Sequence, residues 1–315
     1  MNEQHSRIRW PNGKSFAFTV FDDTDFAVPG NFERVYGLMQ DCGFRTTKSV
    51  WPCAGTREPL VRGATCDDPA YLAYVLGLQR DGFEIGFHGT TNHSVCRPDI
   101  QRGLDRFRDL FGHDPRTMAN HADLAENIYW GAARVSGAQR LVYNVLTRGR
   151  MMNASFGHRE DSPHFWGDLC RSRVEYVRNF ITQNINTAAA FPKMPYHDPE
   201  RPYVNQWFSS TEGPDLESFV RAVSEANQDR LEAEGGACIM YTHFAIRFQD
   251  KSGDVDPTFR RLLTRLSRKN GWFVPVATLL DYIRQYRGEH VLTRFERSQM
   301  ERSWLVHKLR VGGTS

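Results

Sequence analysis

Short apolar runs alternate with longer segments of helical period along the first 125 residues. Phe16, Phe18, Val20 and Phe21 form the first run, which suits a buried strand, and apolar side chains then recur at helical spacing over residues 31–42. Alternating strands and helices predict parallel strands joined by helical crossovers, and therefore an α/β fold. The later strands of this half are predicted at residues 45–51, 84–89 and 117–121, and the later helices at 67–81 and 98–111.

The second half has a less regular pattern. Residues 168–185 carry apolar positions that predict a helix, and residues 190–213, rich in proline and aromatic side chains, predict a long functional loop. After it we expect an amphipathic helix at 214–234, a strand at 237–244, a helix at 257–269, a short strand at 272–276 and a helix at 278–286.

The elements add up to a barrel-like count, so residues 1–286 are predicted to form one (β/α) domain. The charged segment 287–315, with strand-like pieces near Val291 and Leu305, is predicted to be a C-terminal extension. Whether that extension is an added hairpin or an oligomer contact stays open, and so does the formation of a homo-oligomer.

Polar residues follow four of the predicted strands at the carboxyl end. Because parallel strands end at a common rim, these side chains should converge, and carboxylates mixed with imidazoles suit zinc or another divalent metal. An acidic turn that caps the next helix is the alternative for the aspartates taken alone. The residues are Asp22, Asp23 and Asp25, then His88 with His93 after it, then Asn120 and His121, and finally His243.

Composition narrows the function classes. The 40 basic and 37 acidic residues nearly balance, so charge gives no reason to expect a nucleic-acid partner. No stretch approaches the roughly 18 apolar residues of a membrane helix, and the amino end has no signal-peptide core, so a soluble, cytoplasmic protein is expected. The six cysteines are scattered without a C-x-x-C pair, which fits reduced thiols.

Three segments resemble the motifs of the polysaccharide deacetylase family. They are Phe-Asp-Asp ending at Asp23, Glu-Ile-Gly-Phe-His-Gly around His88 with a later histidine, and the apolar strand that ends in His243. The resemblance implies a distorted (β/α) barrel over residues 16–286. It also implies a metal-dependent hydrolase that removes an N-acyl group from an amino sugar or a related small amide.

The family's roles carry over to matching positions. The resemblance implies that Asp22 is the general base, that Asp23 is a metal ligand and that His243 is the general acid protonating the leaving amine. His88 and His93 would complete the triad around a divalent ion, most simply zinc.

The sequence departs from the family's pattern at two motifs. His88 and His93 are five residues apart instead of four, so both can bind one ion only from a loop. His121 is therefore an alternative third ligand, and Asp25 is another. The Arg-x-Pro-Tyr motif is missing, which places the chain in a divergent branch whose substrate cannot be taken from chitin or peptidoglycan deacetylases.

Two other functions stay open beside the deacetylase. One is a metal-independent amidohydrolase acting on ureido or amide compounds, and the other is a non-catalytic carbohydrate-binding or assembly protein. An aromatic loop over the barrel mouth would suit stacking on a sugar, although a purely structural loop explains it as well. The predicted substrate-binding residues are Trp51, Asn120, Trp130, Tyr196, Tyr203 and Trp207.

Overall fold

The apolar run after Ser15 forms strand β1, and all seven of its residues are buried, as expected for a parallel strand covered by helices. In the computed structural model, which describes residues 8–59 and 61–311, seven parallel strands close into a barrel in the order β1 to β7 and back to β1. The strands are β1 Phe16–Asp22, β2 Thr47–Val50, β3 Glu84–Phe87, β4 Thr117–Met118, β5 Tyr176–Thr182, β6 Gln206–Glu212 and β7 Ala237–Thr242, and an eighth, β8, spans Gly271–Trp272.

An irregular seam between β1 and β2 distorts the barrel. Strand β1 pairs with β7 along six consecutive positions, from Ala17 to Asp22. It pairs with β2 only at Phe21 and Asp22, because β8 occupies its amino end at Phe16 and Ala17. The predicted distorted (β/α) barrel is confirmed.

Helices surround this sheet and begin where the sequence offers a cap. Asp68, for example, accepts hydrogen bonds from the backbone N–H groups of Ala70 and Tyr71 at the start of α2. The helices are α1 Glu33–Asp41, α2 Pro69–Arg80, α3 Arg97–Phe111, α4 Gly137–Leu146, α5 Gly167–Arg173, α6 Thr187–Ala190, α7 Leu216–Ala222, α8 Glu225–Glu234, α9 Pro257–Ser267, α10 Val276–Arg287 and α11 Arg294–Val311. Short 3₁₀ turns lie at Pro11–Gly13 and Gly131–Arg134.

The predicted helix at 168–185 is wrong for most of its length. It contains the short helix α5 and then strand β5, whose seven residues are all buried. Arg178 and Asn179 weaken the strand pattern in the sequence, yet both are buried because each finds a polar partner inside the fold. The end of the predicted loop at 190–213 is likewise a strand, β6.

Three further elements differ from expectation. The helix predicted at 214–234 is divided into α7 and α8 at Val223 and Ser224. The strand predicted near Leu305 is part of α11, where the neighbouring Trp304 packs on Phe180 of β5 with ring centroids 4.8 Å apart. Near Val291, a single bridge to His197 replaces the expected strand.

Helix α11 is fixed to the rest of the chain by a buried carboxylate. Glu301 accepts hydrogen bonds from Ser136 and from Arg201, which lies in the loop before β6. The boundary proposed at residue 286 stays a prediction. The parts of the two predicted domains at residues 1–7, 60 and 312–315 lie outside the described residues.

Among the described helices, none has the length and apolarity needed to cross a membrane. The six cysteines are free, and Cys66, Cys170 and Cys238 are buried. Burial raises the pKa of all three thiols, to about 12 for Cys66 and Cys238, so these three are unreactive core side chains at neutral pH.

Candidate metal centre

Three histidines from separate strand ends point their Nε2 atoms at one carboxylate. Asp25 lies just after β1, and its Oδ1 is 3.1 Å from Nε2 of His88 and 3.4 Å from Nε2 of His121. Its other oxygen, Oδ2, lies 3.4 Å from Nε2 of His243, which follows β7. The common rim expected from parallel strands therefore brings these four side chains together.

Backbone carbonyls set the tautomer of two of these rings. Nδ1 of His121 donates to the carbonyl of Ala122 at 2.7 Å, and Nδ1 of His243 donates to the carbonyl of Pro214 at the same distance. Since a carbonyl only accepts, each neutral ring has its lone pair on Nε2, facing Asp25. Lone pairs that face a carboxylate repel it, so the cluster requires a cation or added protons at its centre.

The pKa shifts of Asp25 and the histidines also indicate that the cluster requires positive charge at its centre. Burial raises the pKa of Asp25, but the hydrogen bonds from His121, His243 and His88 outweigh it and hold the pKa well below the usual range. For His121 and His243, burial lowers the pKa, and the hydrogen bond and charge of Asp25 outweigh it, so both pKa values are raised. Positive charge is therefore favoured beside Asp25.

The donor set fits a divalent metal. Within the part of the chain that the structure describes, one ligand atom from each of Asp25, His88 and His121 lies within 4.8 Å of the others. Nε2 of His121 is buried, and its 3.4 Å contact with Asp25 lacks the geometry of a good hydrogen bond, so this nitrogen is available as a metal ligand. Carboxylate and imidazole donors in this number are typical of zinc and of other divalent transition metals.

Asp22 faces away from this cluster and is fully engaged. Its Oδ2 lies 3.0 Å from Nζ of Lys48 and accepts a hydrogen bond of 2.8 Å from the hydroxyl of Tyr36. Its Oδ1 accepts from the backbone N–H of Phe244 at 2.8 Å. Lys48 is itself completely buried, so this pair joins β1, β2 and the chain after β7.

Asp23 lies between these two environments. Both of its oxygens accept from the guanidinium of Arg178, at 2.9 and 2.5 Å, in a buried bidentate pair. Its Oδ1 is also 4.0 Å from Nδ1 of His88. Asp23 is thus held next to the cluster by a cation from β5.

His93 is occupied by the backbone. Its Nε2 accepts from the N–H of Thr56 at 2.8 Å, and its Nδ1 donates to the carbonyl of Ser94 at 3.0 Å. Neither nitrogen is left for a metal in this arrangement, and His93 is not among the described residues that converge on Asp25. Of the two predicted alternatives for the third histidine, the geometry favours His121.

One predicted substrate-binding aromatic supports the histidines directly. Trp51 is completely buried, donates from Nε1 to the carbonyl of His88 at 3.1 Å, and lies with its ring centroid 5.4 Å from that of His121. Asn120 holds the chain after β4 through two hydrogen bonds to the backbone of Ile128. Both residues therefore hold backbone segments that carry the histidines of the cluster.

The other predicted substrate-binding residues lie in different surroundings. Tyr196 and Trp207 are each only 1% exposed and face each other across a single antiparallel bridge. Trp130 is buried under the guanidinium of Arg134. Tyr203 is partly exposed, and its hydroxyl donates to Glu160.

Sequence reasoning missed Lys48, Tyr36 and Arg178. Lys48 stands in the strand segment Thr-Thr-Lys-Ser-Val, and a lysine inside a buried strand needs a carboxylate partner, which was the signal available. Arg178 was hidden by the incorrect helix prediction. Both cations are needed to distinguish the three neighbouring aspartates.

No protein-family profile matches the chain, and no curated protein matches it. Among solved structures, it is similar to a protein from Mycobacterium smegmatis that is provisionally described as a polysaccharide deacetylase, with a TM-score of 0.51, 12% identity, and coverage of 91% of this chain and 97% of that one. This likeness confirms the predicted resemblance at the level of the fold.

Two further solved structures resemble the chain less closely. One is a PuuE allantoinase, with a TM-score of 0.49, 12% identity, and coverage of 89% of this chain and 93% of that one. The other comes from Bordetella bronchiseptica and is provisionally described as a polysaccharide deacetylase involved in O-antigen biosynthesis. Its TM-score is 0.38 at 13% identity, and the alignment covers 82% of this chain and 95% of that one.

Proposed function

We propose that this protein is a metal-dependent hydrolase that removes an N-acyl group from an amino sugar or a related small amide. The observation that carries the proposal is the convergence of one ligand atom from each of Asp25, His88 and His121 within 4.8 Å of one another. The fold shared with a protein described as a polysaccharide deacetylase agrees with it. The motif resemblance in the sequence agrees as well.

Asp25, His88 and His121 would hold the ion, so the carboxylate ligand is Asp25 instead of the predicted Asp23. A divalent ion there, for which zinc suits the donors, would polarise the amide carbonyl and lower the pKa of a water molecule. The carbonyl of Ala122 holds the imidazole of His121 through Nδ1, and Trp51 holds the backbone of His88 through its carbonyl.

We assign the general base to Asp23 in place of Asp22. The bidentate pair with Arg178 fixes the plane of the Asp23 carboxylate, while the 4.0 Å approach to His88 places it beside the cluster. Asp23 would take a proton from the attacking water. Asp22 instead neutralises Lys48, and its two oxygens already accept three polar contacts.

His243 would supply the proton for the departing nitrogen. The carbonyl of Pro214 fixes its ring through Nδ1, so Nε2 faces the reaction centre. Burial lowers the pKa of His243, but the hydrogen bond and charge of Asp25 outweigh it and raise the pKa, which favours the protonated Nε2 that a general acid requires. An amide nitrogen is a poor leaving group without that proton.

One observation favours a second candidate, a metal-independent amidohydrolase. The same raised pKa values allow His121 and His243 to balance Asp25 as imidazolium ions, without any metal. Hydrolysis would then depend on protonated imidazoles to polarise the carbonyl. The two candidates differ in their response to a chelator.

The test is hydrolysis by metal-stripped protein with and without added zinc, cobalt or manganese. The assay follows amine release from N-acetyl amino sugars and ammonia or amine release from ureido compounds. We expect activity only after metal is restored, and loss of that activity in Asp23→Asn and His243→Gln. Full activity in the presence of chelator would support the metal-independent candidate, and no activity on any substrate with any metal would contradict both.

A further inference from the structure

A buried arginine outside the metal centre lacks a counterion. Arg134, at the end of the 3₁₀ turn Gly131–Arg134, is only 2% exposed, and its Nη2 has no hydrogen-bond partner. No residue of the described ranges forms an ion pair with this guanidinium. Because burying an unpaired charge is costly, such a side chain is expected to have a partner that is not among the described residues.

Aromatic rings hold this guanidinium in place. Its Cζ lies 3.4 Å from the ring centroid of Trp130 and 5.9 Å from that of Trp304 in α11. Nζ of Lys308 lies 5.7 Å from the same Trp304 ring. Two cations therefore share one indole, and cation–π contacts offset only part of the cost of burying them.

Burial lowers the pKa of both cations. Burial lowers the pKa of Arg134 to about 10, and Arg178 contributes to the decrease. Burial, followed by the charge of Arg134, lowers the pKa of Lys308 to about 8, although Glu212 acts in the opposite direction. An anion placed between Arg134 and Lys308 would stabilise both charged forms.

The position of Arg134 connects it to the proposed catalytic groups. Arg178 and Tyr241 are both close enough to act electrostatically on Arg134. Arg178, which binds Asp23, lies 4.3 Å over the ring of Tyr241, and that ring is 5.2 Å from the ring of His243. This chain of contacts connects Arg134 with Asp23 and His243 through Arg178 and Tyr241.

We infer that Arg134 and Lys308 bind an anionic group of the substrate, a carboxylate or a phosphate, while its amide lies at the Asp25 cluster. The position of the amide at the Asp25 cluster rests on the proposed hydrolase function, whereas the binding of the anionic group does not. A guanidinium held 3.4 Å from the ring of Trp130 keeps its planar fork of N–H donors, which suits two oxygens of a carboxylate or phosphate. The favoured substrate is then an acidic N-acyl compound.

Binding of inorganic phosphate and of acetate to metal-free protein tests the anion site without catalysis. Equilibrium dialysis at low salt compares wild type, Arg134→Gln, Arg134→Lys and the exposed control Arg140→Gln. A charge-assisted hydrogen bond is worth enough for us to expect about tenfold weaker binding or more in Arg134→Gln. Arg140→Gln should bind as wild type, and Arg134→Lys should fall between.

Lys308→Gln keeps the test decisive if Arg134→Gln does not fold, because Lys308 is partly exposed and its loss should weaken binding severalfold. Equal anion binding by wild type and by the folded variants would overturn the inference. The stronger of the two probes, phosphate or acetate, identifies the group that the site accepts.

Steady-state rates separate this inference from the proposed function. An N-acetyl amino sugar is compared with its phosphate ester and with its carboxylate-bearing ether. We expect Arg134→Gln to raise KM for the matching anionic compound about tenfold or more and to leave the neutral one unchanged. If Arg134→Gln loses anion binding but wild type hydrolyses none of the compounds, the hydrolase function is refuted and the anion site is supported. If both proteins hydrolyse all three compounds, and KM for each compound is the same in wild type and Arg134→Gln, the anion site is refuted and the hydrolase function is supported.

Discussion

Asp22 and Asp25 lie three residues apart at the end of one strand, but their surroundings differ in kind. Asp22 forms an ion pair with a lysine and accepts hydrogen bonds from a tyrosine hydroxyl and a backbone N–H. Asp25 faces three imidazoles, two of which turn a lone pair towards it when neutral. The charge of the Asp22 carboxylate is balanced by groups of the chain, whereas the charge of Asp25 is balanced only when a cation or protons are added.

The surroundings of the two aspartates distinguish a structural role from a metal-binding role, which the sequence motif does not. A carboxylate that neutralises a fully buried lysine contributes to closing the barrel between β1 and β2. A carboxylate surrounded by imidazole nitrogens can bind an added cation together with them. Asp23, paired with Arg178 at the border of the two regions, has the geometry of a positioned base.

The largest effect that tests this contrast is on turnover. Asp23→Asn removes the proposed base but keeps the size of the side chain, so we expect kcat to fall about a hundred- to ten-thousandfold. Metal content should stay as in wild type. Steady-state assays beside elemental analysis check both outcomes, and normal turnover in Asp23→Asn would show that the base is elsewhere.

Asp22→Asn should damage stability. The change leaves Lys48 buried opposite a neutral amide, and breaking a buried pair in this way costs about 3–5 kcal/mol of the free energy of unfolding. Urea unfolding of metal-free protein measures it. The double variant Asp22→Asn with Lys48→Met should recover much of the loss, and a cost below about 1 kcal/mol in the single variant would contradict the structural role of the pair.

Glu126 offers an intermediate case, a buried carboxylate without a cation. Its Oε1 has no hydrogen-bond partner, and burial raises its pKa to about 7 despite a hydrogen bond from the backbone of Val95 and the opposing charge of His121. Because its folded-state pKa lies above its unfolded value, the protonated carboxyl favours the folded state at low pH. That stability is lost as the pH rises from about 4.5 to about 7.

Glu126→Gln should remove that dependence. In chelator, the free energy of unfolding of wild type should fall relative to the variant by up to about 3 kcal/mol across this interval, since each pKa unit corresponds to about 1.4 kcal/mol. Urea unfolding at several pH values measures the difference. Parallel curves for the two proteins would show that the pKa of Glu126 is the same in the folded and unfolded states, which would contradict the raised value.

The smallest effect is expected at His93. A glutamine can accept the hydrogen bond from Thr56 in place of Nε2, so His93→Gln should change the free energy of unfolding by about 1 kcal/mol or less. Its metal content should equal that of wild type. Loss of the ion in this variant would return His93 to the ligand set and remove the basis for choosing His121.

Local patterns in the sequence were sufficient for the first four strands and their helices, because each apolar run and cap acts within a few residues. Strand β5 was missed because Arg178 breaks the apolar run, and its partner Asp23 is 155 residues away in the chain. The same limit applies to the site. Its histidines were found from strand ends, but the roles of Asp22, Asp23 and Asp25 depend on Lys48, Arg178 and other distant partners.

The most direct test of the account is the metal content of Asp25→Asn beside Asp23→Asn, after both are stripped, incubated with zinc and dialysed. The account predicts about one divalent ion per chain in wild type and in Asp23→Asn, and almost none in Asp25→Asn, because only the latter removes a ligand. An ion retained by Asp25→Asn and lost from Asp23→Asn would contradict the assignment and restore Asp23 as the metal-binding carboxylate.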